Sequence, residues 1–497
     1  MEAENRGRHG VIKNFLYQGS ATLSTYLVSL ALIPLVLKNA GASVYGSFVI
    51  WSSLINLGIA VFTLGAGFKA RRQLPSLERL EDKQRVFLRS ASFQVLTYSF
   101  AAVALVLLGK IAQYYFVRTG QSPAPLSIVA VVASVYLNTL SDDYFRYTHR
   151  IKITSFVSVL RSLGYPTLVG IHVLLGGNLT VSSLLYCQAA SYGICSLWLW
   201  LKIAREFQIK FRLAERAYHL EDIRYGFPLT AAVLVENLLA VSDRYILGIY
   251  LSATAVGIYS SAASVGSLIL IFPKIASSVL VPAMAGAIDS GDKHEAESML
   301  HNTLKVFLAL AFPFILGAAF LGQPILALLA NPAVGVAGRR VVPLIAIATL
   351  LYGWNYITFN ALFVKMETGL WLRANALAAA LSMTLNLVIL YFFRHIEIAA
   401  VTAITAYGCA LLFVHRSHSR SWPVRLDYPF LMRISIGVAG MSAVLFLGIR
   451  ILGGAHSPFV IITILVPVGV LTYGVVLTVV GVLGKSEFSL LKRCLHR

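Results

Sequence analysis

The chain is predicted to be all-α and polytopic, with about fourteen helices crossing a membrane. Three observations predict it. First, 58% of its 497 residues are hydrophobic and only 12% are charged, about half the charged share of an ordinary soluble domain; mean hydropathy is +0.76. Second, the apolar residues gather in long unbroken runs such as ATLSTYLVSLALIPLVL and FVIITILVPVGVLTYGVVLTVVGVL. A helix needs about 20 such residues to cross a hydrocarbon core of roughly 30 Å. Backbone groups in lipid must be satisfied within the protein, so the runs are helices or a closed barrel. A barrel would show short segments of alternating polarity instead. Third, the basic residues cluster at alternate junctions between the runs, which is how helical membrane proteins mark their orientation.

In chain order the spans fall at about 14–37, 44–67, 87–108, 124–145, 153–175, 179–201, 226–249, 255–284, 304–330, 341–363, 371–393, 396–414, 433–452 and 458–483. The loop after the second span carries Lys69, Arg71, Arg72, Arg79, Lys83, Arg85 and Arg89. The loop after the sixth carries Lys202, Arg205, Lys210, Arg212, Arg216 and Arg224. Arg416, Arg420 and Arg425 follow the twelfth, and Lys485, Lys492, Arg493 and Arg497 lie in the tail. The opposite face has only Lys38, Lys110, Arg118, Arg339, Arg340, Arg394 and Arg450. This asymmetry places both termini in the cytoplasm, with an even number of spans. The loops on the sparsely charged face are short, the longest at about 109–123, and leave no room for an external domain.

The segment REFQIKFRLAERAYHLEDIR before the seventh span is basic and partly amphipathic. It reads as a helix on the inner leaflet or as a solvated linker; SEFSLLKRCLHR at the end reads the same way. The opening MEAENRGRHGVIKNF leads into a full-length span and has no small-residue cleavage site, so no cleavable signal is expected. Cys187, Cys195 and Cys409 lie inside apolar runs and Cys494 in the tail, so no structural disulfide is expected.

An internal echo joins two places. VLKNAGASVYGSFVIWSSL runs from the first span into the second, and ILGIYLSATAVGIYSSAASV from the seventh into the eighth. Gly46 matches Gly257 and Ala42 matches Ala253, an offset of 211 residues. The expected organisation is a six-helix lobe over residues 1–203, a cytoplasmic linker over 204–224, a second six-helix lobe over 225–415, and two additional helices with a cytoplasmic tail over 416–497. Transporters are often built from such repeats, with the substrate between them.

Charges inside a span cost about 2.5–3.5 kcal/mol on insertion scales, so each needs a reason. The seventh span, FPLTAAVLVENLLAVSDRYILGIY, holds Glu236, Asn237, Asp243 and Arg244. Seven residues make nearly two helical turns, so Glu236 and Asp243 share a face and Asn237 and Arg244 share the next. One reading makes Glu236 a proton-coupling carboxylate, with Asp243 a second candidate, and Arg244 a cationic contact; the other makes Asp243 and Arg244 a structural pair near the outer interface. Arg161 in the fifth span and Lys274 in the eighth are further membrane cations. They line a cavity or reach back to the interface, and Pro273 beside Lys274 can open the local backbone. Asp142, Asp143 and Arg146 close the fourth span near the cytoplasmic interface and read as anchors. Trp354, Asn355, Thr358 and Asn360 in the tenth span suit sugar hydroxyls, or serve to bind helices to one another.

A net charge of +20 would suit nucleic acid, but its placement between apolar runs argues against that partner. No phosphate-cradling loop appears, so no ATP motor is encoded. His172 stands alone, and no His, Cys or carboxylate cluster has metal spacing; no metal, cofactor or catalytic residue is expected.

IPLVLKNAGASVYGSFVIWSSLINLGIAVFTLGAG followed by KARRQ resembles the opening of Wzx-type polysaccharide flippases, the polysaccharide transporter branch of the multidrug/oligosaccharidyl-lipid/polysaccharide exporter superfamily. VSDRYILGIYLSATAVGIYSSA resembles the start of that family's second half, and the likeness in span order and loop lengths covers most of the chain. The resemblance implies two six-helix lobes around a central cavity, usually followed by two more helices. It implies movement of undecaprenyl-pyrophosphate-linked oligosaccharide from the cytoplasmic to the periplasmic leaflet of a bacterial inner membrane, by alternating access. Arg161, Arg244 and Lys274 would then neutralise the pyrophosphate, and Asn237, Trp354, Asn355 and Asn360 would meet the sugars. The implied partners are that lipid-linked oligosaccharide, membrane lipid and, downstream, a glycan polymerase and a chain-length regulator. The same fold also admits a drug or ion antiporter or a flippase of lipid-linked peptidoglycan precursor. A membrane glycan polymerase or ligase would be expected to carry a large external loop, which is missing here.

Overall fold

A computed structural model describes residues 2–62, 67–116, 121–148, 150–207, 220–365, 367–418, 427–452 and 457–481. All regular structure among them is helical. The chain forms α1 (Glu2–Phe62), α2 (Phe68–Gln73), α3 (Leu80–Phe116), α4 (Pro125–Tyr147), α5 (Ile151–Leu174), α6 (Val181–Glu206), α7 (Leu220–Tyr250) and α8 (Ala253–Gly266). It continues through α9 (Ile271–Asp289), α10 (Lys293–Leu329), α11 (Pro332–Gly338), α12 (Val341–Val364) and α13 (Thr368–Phe393) to α14 (Glu397–His418), α15 (Tyr428–Leu452) and α16 (Pro458–Val479). Twelve of the described helices are long and apolar enough to cross a membrane, and the chain is an all-α polytopic membrane protein.

Two helices depart from a simple one-span reading. The apolar part of α1, Gly19–Phe62, has 44 residues; at 1.5 Å per residue that is roughly 66 Å, about twice a hydrocarbon core. It is broken at Gly41, whose φ of 80° and ψ of 172° are not helical. A positive φ of this kind suits a residue without Cβ. The seventh helix, with 31 residues, is long enough to span but is not among the twelve; Glu236, Asp243 and Arg244 lie within it.

The eighth predicted span, drawn as one run over about 255–284, is interrupted. α8 ends at Gly266, a 3-10 turn covers Leu268–Leu270, and α9 starts at Ile271. Pro273 supplies the reason, because in a continuous helix its ring would meet the carbonyl of Ile269. At the third position of α9 its missing N–H costs nothing, since the first turn leaves those groups unpaired in any case. The basic segment before the seventh span falls largely at 208–219, and the tail at 482–497; both lie outside the described residues.

The chain packs as two compact units, Met1–Ser260 with Ala379–Ile396, and Ser261–Ala378 with Glu397–Arg497. The boundaries fall inside α8 and α13. In lipid, burying apolar surface drives helices together weakly, so close packing and hydrogen bonds hold a bundle. In the first unit α4 packs on α6 and on α3, and α1 packs on α5 and α7. Phe87 and Tyr144 meet edge to face at 5.2 Å. Ion pairs tie helix ends: Arg150 reaches Glu206 at 2.6 Å, Tyr144 donates to the same carboxylate, and Arg71 reaches Asp143 at 3.0 Å. Asp142 and Arg146 pair within α4 at 2.9 Å.

In the second unit α12 packs on α9, α10 and α14. α15 and α16 lie against α10, where Leu321, Ile434, Met441, Leu445, Leu465 and Leu477 share one apolar cluster. Two polar bonds fix that arrangement. The Tyr473 hydroxyl donates to the Ala309 carbonyl at 2.7 Å, and Lys305 reaches Asp427 at 2.7 Å.

The echo in the sequence is a contact in the first unit. A Cβ built on Gly46 would fall on the carbonyl oxygen of Ala253 and 2.7 Å from the nitrogen of Gly257. A Cβ built on Gly257 would fall on the carbonyl oxygen of Ala42 and 3.1 Å from the nitrogen of Gly46. Each matched pair meets its counterpart, as residues do across a two-fold axis.

Candidate functional site

A polar cavity of about 410 Å3 opens between the second half of α1 and α7, within the first unit. From α1 it is lined by Phe48, Val49, Ser52, Ser53, Asn56 and Leu57, and from α7 by Asn237, Val241 and Arg244. Ser52 and Asn56 are one turn apart, and Asn237, Val241 and Arg244 follow at intervals of four and three, so each set occupies one helix face. The cavity therefore has hydroxyl and amide groups on one wall and a guanidinium on the other.

Arg244 is the group that gives this site its charge. Its Nε is buried and has no hydrogen-bond partner. Asp243 does not neutralise it through an ion pair. One Asp243 oxygen accepts from the backbone N–H of Arg244 at 2.8 Å, and the other accepts from the Tyr259 hydroxyl. Helical geometry explains this, because consecutive residues point about 100° apart and do not face each other. Asn237 donates to the Val233 carbonyl at 2.8 Å, which leaves its side-chain oxygen toward other partners. Glu236 is exposed and is not part of the cavity wall.

The other sequence candidates lie elsewhere. Arg161 sits on α5 of the first unit, where Nη1 donates to Asn138 Oδ1 at 2.6 Å and the guanidinium lies 4.8 Å from the Tyr192 ring centre. Lys274, on α9 of the second unit, is half-buried. On α12, Asn360 donates to Ser277 of α9 at 2.8 Å, and Asn355 donates to the Tyr407 carbonyl of α14 at 3.1 Å. Both bonds tie helices together inside that unit. Trp354 beside them is half-buried, and its carbonyl accepts from Thr358 at 3.0 Å. Among the described residues no three His, Cys, Asp or Glu side chains group to hold a metal; Cys187, Cys195 and Cys409 are free thiols, and Cys494 lies outside the described residues.

Ser52, Ser53 and Asn56 were not among the sequence candidates. Their signal was the pair of hydroxyls and the amide at helical spacing in WSSLINLG, uncharged and easily taken for groups that bond their own helix.

These helices, with a polar cation-bearing cavity in the first unit, define a polytopic membrane protein. The fold is that of known transporters. It matches a lipid II flippase, MurJ, in an inward closed conformation, with TM-score 0.72 and 15% identity over 97% of this chain and 100% of that one. It also matches an inward-facing multidrug transporter of the MATE family in the MOP superfamily, with TM-score 0.64 and 13% identity over 81% of this chain and 98% of that one. Residues 11–287 match the family described as "Polysaccharide biosynthesis protein", and the chain belongs to it. A relative in Haloferax volcanii, the probable low-salt glycan biosynthesis flippase Agl15, is 22% identical over 215 residues, 43% of this chain and 45% of that protein. The chain spans less than half the length of the curated relatives it matches.

Proposed function

We propose that the protein flips a lipid-linked oligosaccharide, joined through pyrophosphate to undecaprenol, from the cytoplasmic to the periplasmic leaflet for surface polysaccharide synthesis. The observation that carries this reading is Arg244, a half-buried guanidinium whose buried Nε has no partner and which makes no ion pair among the described residues, facing a polar cavity. A planar cation with spare donors is matched to phosphate oxygens, and the hydroxyls and amides of Ser52, Ser53, Asn56 and Asn237 are matched to sugars. The apolar tail needs no binding site of its own, since it can stay in the bilayer. The family and the flippase relative support a lipid-linked glycan as cargo.

Movement proceeds by alternating access, and no bond is broken, so no catalytic group is required. Glu236 and Asp243 are the candidate coupling carboxylates. Lys274, as a further membrane cation, and Trp354, Asn355 and Asn360, as sugar contacts, belong to the same reading, outside the cavity of Arg244. We infer fourteen spans, because α1 holds two on either side of Gly41 and α7 adds one to the remainder. Both termini lie in the cytoplasm of a bacterial cell, on the side the basic loops mark.

Lipid-linked peptidoglycan precursor is the second reading, favoured by the extent of the fold match to the lipid II flippase. The two cargoes share a pyrophosphate and differ in the sugar. The test is translocation in proteoliposomes with each lipid. Arg244→Ala is expected to lower flux of undecaprenyl-pyrophosphate oligosaccharide about tenfold or more, with insertion into the membrane unchanged. Wild-type flux in that variant would overturn the reading, and so would transport of cationic dyes with no transport of either lipid.

A further inference from the structure

We propose that α4, α5 and α6 hold a small-anion site, built from the Arg161 guanidinium and the Asn138 amide, that takes chloride or an ion of similar size. The site does not depend on which cargo the protein moves. Arg161 spends one hydrogen on Asn138 Oδ1 at 2.6 Å, of the five N–H groups a guanidinium carries. That bond also fixes the orientation of the amide, since a flipped Asn138 would set donor against donor. The Asn138 amino group is left as a donor. Asn138 is 2% exposed, and Nδ2 is buried with no acceptor.

No carboxylate stands within ion-pair distance of Arg161 among the described residues. The acids at the ends of the neighbouring helices are engaged: Asp143 by Arg71, Asp142 by Arg146 and Glu206 by Arg150. One buried donor, Asn138 Nδ2, thus lacks an acceptor, and the Arg161 charge has no carboxylate beside it among the described residues. Both are costly, and an anion relieves both.

Size selects a small ion. Ser191 of α6 donates to the Arg161 carbonyl at 2.8 Å, and Tyr192 covers one face of the guanidinium. A glycan-bearing head would have to part α4 from α6 to reach Asn138. A small ion can exchange past the half-buried Arg161.

The test uses the full-length protein in detergent, melted in sodium chloride and in sodium gluconate at equal ionic strength. Tryptophan fluorescence reports on the region, because the Trp200 indole donates to the Leu137 carbonyl beside Asn138. Chloride is expected to raise the Tm by about 2 °C or more. Arg161→Gln should abolish the rise, and Arg450→Gln, at the end of α15, should keep it. Equal melting of the wild type in both salts, or a full rise in Arg161→Gln, overturns the site. Should Arg161→Gln not fold, Asn138→Asp decides. It supplies an anion from within the chain, so its Tm should not respond to chloride, and a persistent rise defeats the proposal. A third arm replaces chloride with undecaprenyl pyrophosphate in micelles. A rise with that lipid and none with chloride, lost in Arg161→Gln, would make Arg161 a cargo contact instead.

Discussion

Arg244 and Asp427 show how one side chain serves a site or a scaffold. If Arg244 binds phosphate through its fork, Arg244→Lys should restore only part of the flux lost in Arg244→Ala, because an ammonium keeps the charge but loses the paired donors; the measurement is flux of the lipid-linked oligosaccharide in proteoliposomes. Asp427 works differently. It accepts from Lys305 at 2.7 Å and caps α15 by accepting from the Phe430 N–H at 3.1 Å, and these hold its carboxyl below the ordinary range. A depressed carboxylate stabilises the fold above its unfolded-state value of about 3.9 and loses that effect as pH falls through the lower folded-state value. Asp427→Asn should therefore lower the Tm at pH 5–8, and the gap to wild type should close well below pH 4; a gap that persists there would show that charge is not the cause. Arg244 and Asn237 were legible in the sequence because a charge or amide inside an apolar run is conspicuous. Ser52, Ser53 and Asn56 were not, because small polar groups in spans commonly bond their own helix. Asn355 and Asn360 show the converse: the sequence left sugar contact and helix tying open, and their bonds run to Tyr407 and Ser277.

Among elements, the crossing of α1 and α8 is the tightest constraint. The atoms that a Cβ would strike are backbone, not flexible side-chain ends, so relief requires the helices to separate. Gly46→Ala and Gly257→Ala should each destabilise by about 1–3 kcal/mol. The first substitution already opens the crossing, so the double variant should cost less than the sum; strict additivity in denaturation would show that the two glycines do not share one contact. The break between α8 and α9 was partly legible through Pro273. The placement of Gly41 at a positive φ was not, because a glycine in an apolar run gives no sign of its backbone angle.

For the whole molecule, the charge asymmetry makes a prediction about orientation. Reporter fusions at both termini should read as cytoplasmic, and a cysteine replacing Asn178, in the short exposed turn after α5, should react with an impermeant reagent on intact cells. Labelling only after the cells are opened would reverse the topology. That the apolar runs form helices was legible, since each span must satisfy its own backbone; their number was not, because α1 is one apolar helix, kinked at Gly41, across two expected spans and α7 does not stand among the twelve. Which helices pack together was not, because lipid-facing and protein-facing surfaces are both apolar and leave no polarity stripe to read. The reciprocal glycine crossing has a bearing on how these two positions can change. A lone glycine is free to drift once its neighbour shrinks, but here each one makes room for the backbone that carries the other. Neither can acquire a side chain unless both helices of the crossing retreat together. Glycine is thus held in place at both Gly46 and Gly257 by the backbone of the other helix.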